Sequence, residues 1–318
     1  MKTTDDYIMI GICSMLHMLV DGLCMCGCFL MSQMIGYDSI IIALIVYNVT
    51  AFLTQPFTGI LADRLHHRHW LLLTSCLLLS LASLGVFVMA FLTSLWTMIV
   101  VAILLGLGNS CFHVWGGKQT AVTTGNDMRA LGVFVSTGAF GLAIGMLFCS
   151  WSLLYVFLLA IIFLSAIYLV RDSRSEKPQP TEASSVLRLP LVVAAILALM
   201  AFVMMRSLVG ESFSSIITRT DNTILLIGFV AMAGKMAGGW IARRLGIVLA
   251  LVLMLACTLV CFLARDYGQA CLLAGLFAIN CTMPVTLYLA NVALKGREGL
   301  AFGLLAAALI PGYLLAFT

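Results

Sequence analysis

The chain has 318 residues, 63% of them hydrophobic and 9% charged, with a formal net charge of +4. A soluble domain carries about a quarter charged residues. This composition therefore excludes a water-soluble enzyme or a nucleic-acid binder, and it requires lipid as part of the solvent.

The apolar runs are continuous, as over 71–92, unlike the alternating ~10-residue segments of a transmembrane barrel. Helices of ~20 residues are predicted instead. Eleven spans fit, at 7–34, 39–62, 70–92, 95–115, 129–150, 151–170, 188–210, 222–242, 246–264, 269–291 and 299–318. The start, 1–7, is polar and acidic, and the next stretch holds His17 and Asp21 without a small-residue cleavage site. The first span is expected to be retained.

His17 and Asp21, four residues apart, share one face of the first helix. A charge at the bilayer centre costs at least about 2.5–3.5 kcal/mol, so such groups persist where they face a polar cavity or each other. Histidine titrates near neutrality, which suits proton exchange; the alternative is a polar pair that locks the helix to a neighbour. Cys24 and Cys28 continue the same stripe, and thiolate with imidazole can bind Cu(I) or Zn. The chain has 11 cysteines, most in bland apolar positions where Cys acts as a small hydrophobe. A Cys-tolerant composition explains the stripe, and no metal or other cofactor is expected.

Asp63 and Arg64 close the second span. Asp63 can meet a helix N-terminus or a cation, which suits a latch in a cytoplasmic loop. His66, His67 and His69 follow as interfacial anchors. The fourth span is expected to end near the Gly116–Gly117 pair, leaving His113 at its cytoplasmic end as a substrate or gating group, or as an interfacial His. Gly141 and Gly145 in the fifth span suit close helix approach. The segment 171–188 is charged and contains Pro and Ser. It divides a six-helix half, 1–170, from a half, 189–318, in which a twelfth helix is not apparent. Arg206 and Glu211 fall in the outer part of the seventh span. Arg206 can bind an anionic group, pair with Asp21, or snorkel outward; Glu211 is a second carboxylate for a proton. Lys235 is read as snorkelling to the cytoplasmic surface.

Lys and Arg placement sets the orientation. With the N-terminus inside, the cytoplasmic segments hold Lys2, Arg64, Arg68, Lys118, Arg129, Arg171, Arg174, Lys177, Arg188, Arg243, Arg244, Lys295 and Arg297, whereas the opposite side holds Arg206, Arg219 and Arg265. No phosphate-binding loop, H-E-x-x-H or G-x-S-x-G is present, so no enzyme is expected.

Residues 59–68, Gly-Ile-Leu-Ala-Asp-Arg-Leu-His-His-Arg, resemble the major facilitator loop between helices 2 and 3, with His66 in place of the usual glycine. Gly239 to Gly246 repeats the position in the second half, without the acidic residue. His17 to Asp21, Thr54 to Gly59, Gly106 to His113, Gly138 to Gly145 and Met205 to Ser207 are similar to the fosmidomycin-resistance branch, although Val114 stands where a proline commonly follows the histidine. The resemblance implies a two-half all-α membrane fold and proton-driven export of a drug or metabolite. The expected site is His17, Asp21 and Glu211 for protons, Gln55, His113 and Arg206 for substrate, and Asp63 with Arg64 for gating. The partners are protons, a small molecule and the lipid of the inner membrane, with the chain a monomer. Solute uptake by the same architecture, or a non-transporting sensor or assembly protein, remain open.

Overall fold

The computed structural model describes residues 4–36, 39–65, 69–172 and 189–315. The first half contains α1 (Thr4–Ile35), α2 (Ser39–Phe52), α3 (Gln55–Arg64), α4 (Trp70–Met89), α5 (Leu95–Thr124), α6 (Met128–Leu147) and α7 (Trp151–Asp172). The second contains α8 (Leu189–Ile216), α9 (Asp221–Leu245), α10 (Ile247–Leu263), α11 (Gln269–Cys281), α12 (Met283–Ala293), α13 (Glu298–Ala307) and α14 (Leu309–Leu315). No strand occurs among the described residues. Among the described residues, nine helical stretches are long and apolar enough to cross a membrane; Ile247–Leu263 and Glu298–Gly312 are shorter apolar ones.

Two of these nine stretches, Ser39–Arg64 and Gln269–Ala293, are broken, and the breaks have a cause. Pro56 and Pro284 stand in the first turns of α3 and α12. Proline lacks an N–H and crowds the preceding turn, and inside a membrane the freed carbonyls need other donors. Thr54 Oγ1 donates to the Thr50 carbonyl at 2.6 Å, and Thr282 Oγ1 to that of Ile279 at 2.7 Å. The half-helices after the breaks lean across the molecule: α3 packs on α13, and α12 on α6.

Helix α5 corrects one expectation. It runs unbroken through Gly116 and Gly117 to Thr124, so His113 lies well inside a span rather than at its end. The paired glycines make room for aromatic rings instead. A β-carbon at Gly116 would stand 2.7 Å from the Phe134 ring, and one at Gly117 would overlap Phe302. The helix stops at Gly125, whose φ of 60° favours glycine.

The halves meet along α6 with α9 and along α3 with α13. Lipid supplies no hydrophobic drive between helices, so close backbone approach at small residues carries the contact. A β-carbon at Gly59 would lie 2.7 Å from the Gly299 carbonyl carbon, and one at Gly239 would lie 2.8 Å from the Arg129 Cα. Gly59 stands four residues before Asp63 and Gly239 four before Arg243. Helix α1 is enclosed by α5, α6 and α7, with Leu16, Val20 and Leu23 fully buried. Leu73, Leu77, Leu159, Phe163, Val252 and Leu259 face outward on α4, α7 and α10, as lipid-facing side chains must.

Candidate functional site

A cavity of about 430 Å³ lies between the halves. Its lining is largely apolar, from residues such as Met25, Leu44, Phe52, Val135, Val203 and Leu287. Phe302 of α13 lines it, its ring meeting His113 edge-on at 6.4 Å and Phe134 at 6.1 Å. From there the cavity reaches past Arg206 to Glu211 and Ser214, toward the end opposite Asp63.

The first half contributes a closed polar cluster. Asp21 Oδ1 accepts from Asn109 Nδ2 at 2.8 Å and stands 2.9 Å from His113 Nε2. His17 Nε2 lies 3.3 Å from Asp21 Oδ2, and His17 Nδ1 lies 2.7 Å from the Phe134 carbonyl oxygen. A carbonyl can only accept, so Nδ1 carries a hydrogen. Nε2 then meets a carboxylate oxygen with a lone pair unless a proton lies between them. The contact is favourable only when the His17–Asp21 pair holds that proton, on either atom. His113 needs only its neutral Nε2–H form to serve Asp21 Oδ1. Both carboxylate oxygens are thereby occupied. Gly138 makes the cluster sterically possible, since any side chain there would overlap Asp21 and His17.

The second half contributes cations. Arg206 is buried at 7% exposure, so it does not snorkel to a surface, and its Nη1 has no hydrogen-bond partner. It is not bonded to Asp21. Lys235 lines the same cavity, which corrects the expectation that it snorkels away: its azimuth on α9 points inward, and depth along a helix does not reveal azimuth. Glu211 also lines the cavity and accepts from Ser214 Oγ at 3.2 Å. Gln55 lies off the cavity, contrary to its expected substrate role. It is fully buried beside α13, its Nε2 donating to the Ala51 carbonyl at 3.0 Å. Asn109 and Lys235 were missed as site residues. Asn109 lies in the Gly106–His113 stretch, four residues before His113 and thus on its face, which was the available signal.

At the opposite end, Asp63 meets both a helix N-terminus and a cation. Its oxygens accept from Gly299 N at 3.0 Å and Leu300 N at 2.9 Å, in the first turn of α13, and pair with Lys118 Nζ at 3.1 Å. Lys118 also donates to the Ala62 carbonyl at 2.7 Å. Arg64 is exposed and takes no part. A second link joins the halves here: Asn291 Nδ2 donates to Asn126 Oδ1 at 2.8 Å, and Asn126 Nδ2 to the Tyr288 carbonyl at 3.2 Å. His69 Nε2 lies 2.8 Å from Asp172 Oδ2; His66 and His67 fall outside the described residues.

His17, Asp21 and His113 present donor atoms within 4.8 Å of one another. Two imidazoles and a carboxylate suit a divalent transition metal in principle. The stripe through Cys24 and Cys28 does not form that donor set, since Cys24 Sγ turns to the Leu105 carbonyl at 3.7 Å.

A family model described as Major Facilitator Superfamily matches residues 10–316. Comparison with curated protein sequences finds no match. Among solved structures, the E. coli fucose:proton symporter FucP is similar over 99% of this chain and 91% of its own, at 14% identity and a TM-score of 0.69. A bacterial homologue of the iron transporter ferroportin in an outward-facing state is similar over 97% and 91%, at 14% identity and a TM-score of 0.65. The human organic anion transporter MFSD10 is similar over 98% and 93%, at 17% identity and a TM-score of 0.68. At such identities the likeness concerns the fold.

Proposed function

The chain belongs to the Major Facilitator Superfamily, and on that premise we propose that it is a proton-coupled secondary transporter that exports a small organic molecule by alternating access. The observation that carries the reading is the His17–Asp21 contact, which needs a proton to be favourable and sits on the wall of the central cavity. Substrate occupies that cavity beside His113 and Arg206. Glu211, further along it, is a second station for the proton.

Asp63 with Lys118 acts as the latch. A carboxylate at a helix N-terminus is stabilised by the free N–H groups and the helix dipole, and here it ties α3 to α13. Phe302, three residues after Gly299 on α13, lines the cavity and meets His113 edge-on. With the N-terminus in the cytoplasm, this arrangement is an outward-facing state, closed on the inside. In the other state the Asp63 contact breaks and the halves rock about α6 and α9. Cargo cannot be taken from the fold, because similar structures are named for fucose, iron and organic anions.

Uptake by the same route remains the second reading, as the same proton site serves either direction. A non-transporting sensor is disfavoured by a cavity that keeps its ionisable groups. The test is proton movement in proteoliposomes loaded with a pH dye and challenged with a panel of small organic solutes. Solute-dependent proton flux in the wild type that disappears in Asp21→Asn supports the reading. Flux of solute with no proton movement removes the coupling, and no flux of any solute returns the sensor.

A further inference from the structure

We infer that the cargo is a small organic anion whose oxyanion headgroup is held jointly by Arg206 on α8 and Lys235 on α9, with an apolar body against the rest of the cavity wall. This deepens the transport reading and rests on it for the role of the cavity.

The argument is one of charge. Arg206 is only 7% exposed, lines the cavity, and has a guanidinium nitrogen without a partner. Lys235 lines the same cavity. Among the described residues neither cation has a carboxylate within ion-pair distance. A buried cation without a counter-charge is costly unless something else supplies it.

The cavity's own carboxylates do not. Asp21 is the nearest candidate by composition, yet Asn109 and His113 take one oxygen and His17 faces the other. Glu211 accepts from Ser214 and, among the described residues, forms no ion pair with either cation. Two positive side chains from different helices thus face one mainly apolar chamber. An oxyanion answers both: guanidinium offers a planar fork of donors to a carboxylate or phosphate-type group, and ammonium adds a compact charge. A cationic cargo would be repelled, and a neutral one would leave both charges uncompensated. Asn280 and Asn48 also line the chamber and can hydrogen-bond to polar groups on the body.

The test uses the purified full-length protein in detergent, with thermal shift and isothermal titration against three aromatic probes of matched size: benzoate, benzyl alcohol and benzylammonium. Benzoate should bind and raise Tm, and the other two should not. Arg206→Gln and Lys235→Gln should each weaken benzoate binding by about tenfold or more, as loss of a charge-assisted hydrogen bond implies. Arg206→Lys, which keeps the charge and loses the fork, should fall between. Phenylphosphonate in place of benzoate distinguishes planar from tetrahedral headgroups; binding of either supports the inference. Preferential binding of benzyl alcohol or benzylammonium overturns the anion assignment and leaves the transport reading intact. Benzoate binding that survives both glutamine variants, or silence from both anions, overturns the site. Proton flux in the dye assay decides the transport reading separately.

Discussion

His17 faces Asp21 across 3.3 Å with only one nitrogen free to do so, because its other nitrogen donates to the Phe134 carbonyl 2.7 Å away. The backbone of α6 thus sets the tautomer of a side chain on α1. The pair is attractive when it holds a proton and repulsive when it does not, so its protonation is tied to the α1–α6 contact.

If that pair carries the coupled proton, Asp21→Asn should abolish gradient-driven accumulation, with at least about a hundredfold loss. Substrate binding and exchange should persist, since Asn keeps the volume and can still bond His113. His17→Gln should retain transport with an altered pH profile, because it removes one holder of the proton and leaves the other. Proteoliposome flux across an imposed pH gradient measures both. Full proton-driven transport in Asp21→Asn would return the pair to a structural role and leave Glu211 as the proton site.

Gly138 is the clearance for this cluster. Gly138→Ala pushes a methyl into Asp21 and His17, and overpacking of this kind costs about 1–3 kcal/mol. Gly11→Ala is the matched control: it lies on the same kind of helix with nothing within 4 Å of its β-carbon, and should be neutral or slightly stabilising. Thermal unfolding in detergent compares the two, and equal Tm values would mean that the cluster tolerates displacement.

The latch predicts a sharp contrast between neighbours. Asp63→Asn removes the charge that faces Lys118 and the α13 N-terminus, and Lys118→Gln removes its partner. Both should slow transport several-fold with near-normal expression. Arg64→Gln, one residue on and exposed, should not. Flux together with alkylation of a reporter cysteine on the inner face of α3 separates slower gating from lost protein, and equal effects at Asp63 and Arg64 would dismiss the latch.

Topology is tested from the outside. Asp266, in the 3₁₀ turn Arg265–Tyr267 between α10 and α11, is exposed. In a cysteine-free background, Asp266→Cys should react with an impermeant maleimide on intact cells, whereas a cysteine within 177–182, a stretch outside the described residues, should not. The reverse pattern would invert the molecule and with it the outward-facing assignment.

Much of this fold was legible along the chain. Spans of ~20 apolar residues and the i,i+4 spacing of His17 and Asp21 are local facts, and helices in lipid satisfy their backbone locally; the breaks before α3 and α12 inside the expected spans 39–62 and 269–291 were not read. The end of α5 was misread because a Gly–Gly pair ordinarily marks a break; here the rings of Phe134 and Phe302 fill the space the two glycines leave. The same error hid Lys118, which was taken for an ordinary loop charge.

The sequence by itself determined that this is a helical membrane protein and that His17 and Asp21 share a face. Only the tertiary structure decided what those groups meet. His113 and Asn109 reach Asp21 from α5, Lys235 turns into the cavity rather than toward a surface, Gln55 turns away from it, and Asp63 finds the start of α13. Helical periodicity relates residues within one helix, whereas the rotation of each helix against its neighbours is set by packing at glycines such as Gly59, Gly138 and Gly239. Where backbones touch at those points, the facing side chains are committed, and no spacing along the chain encodes that.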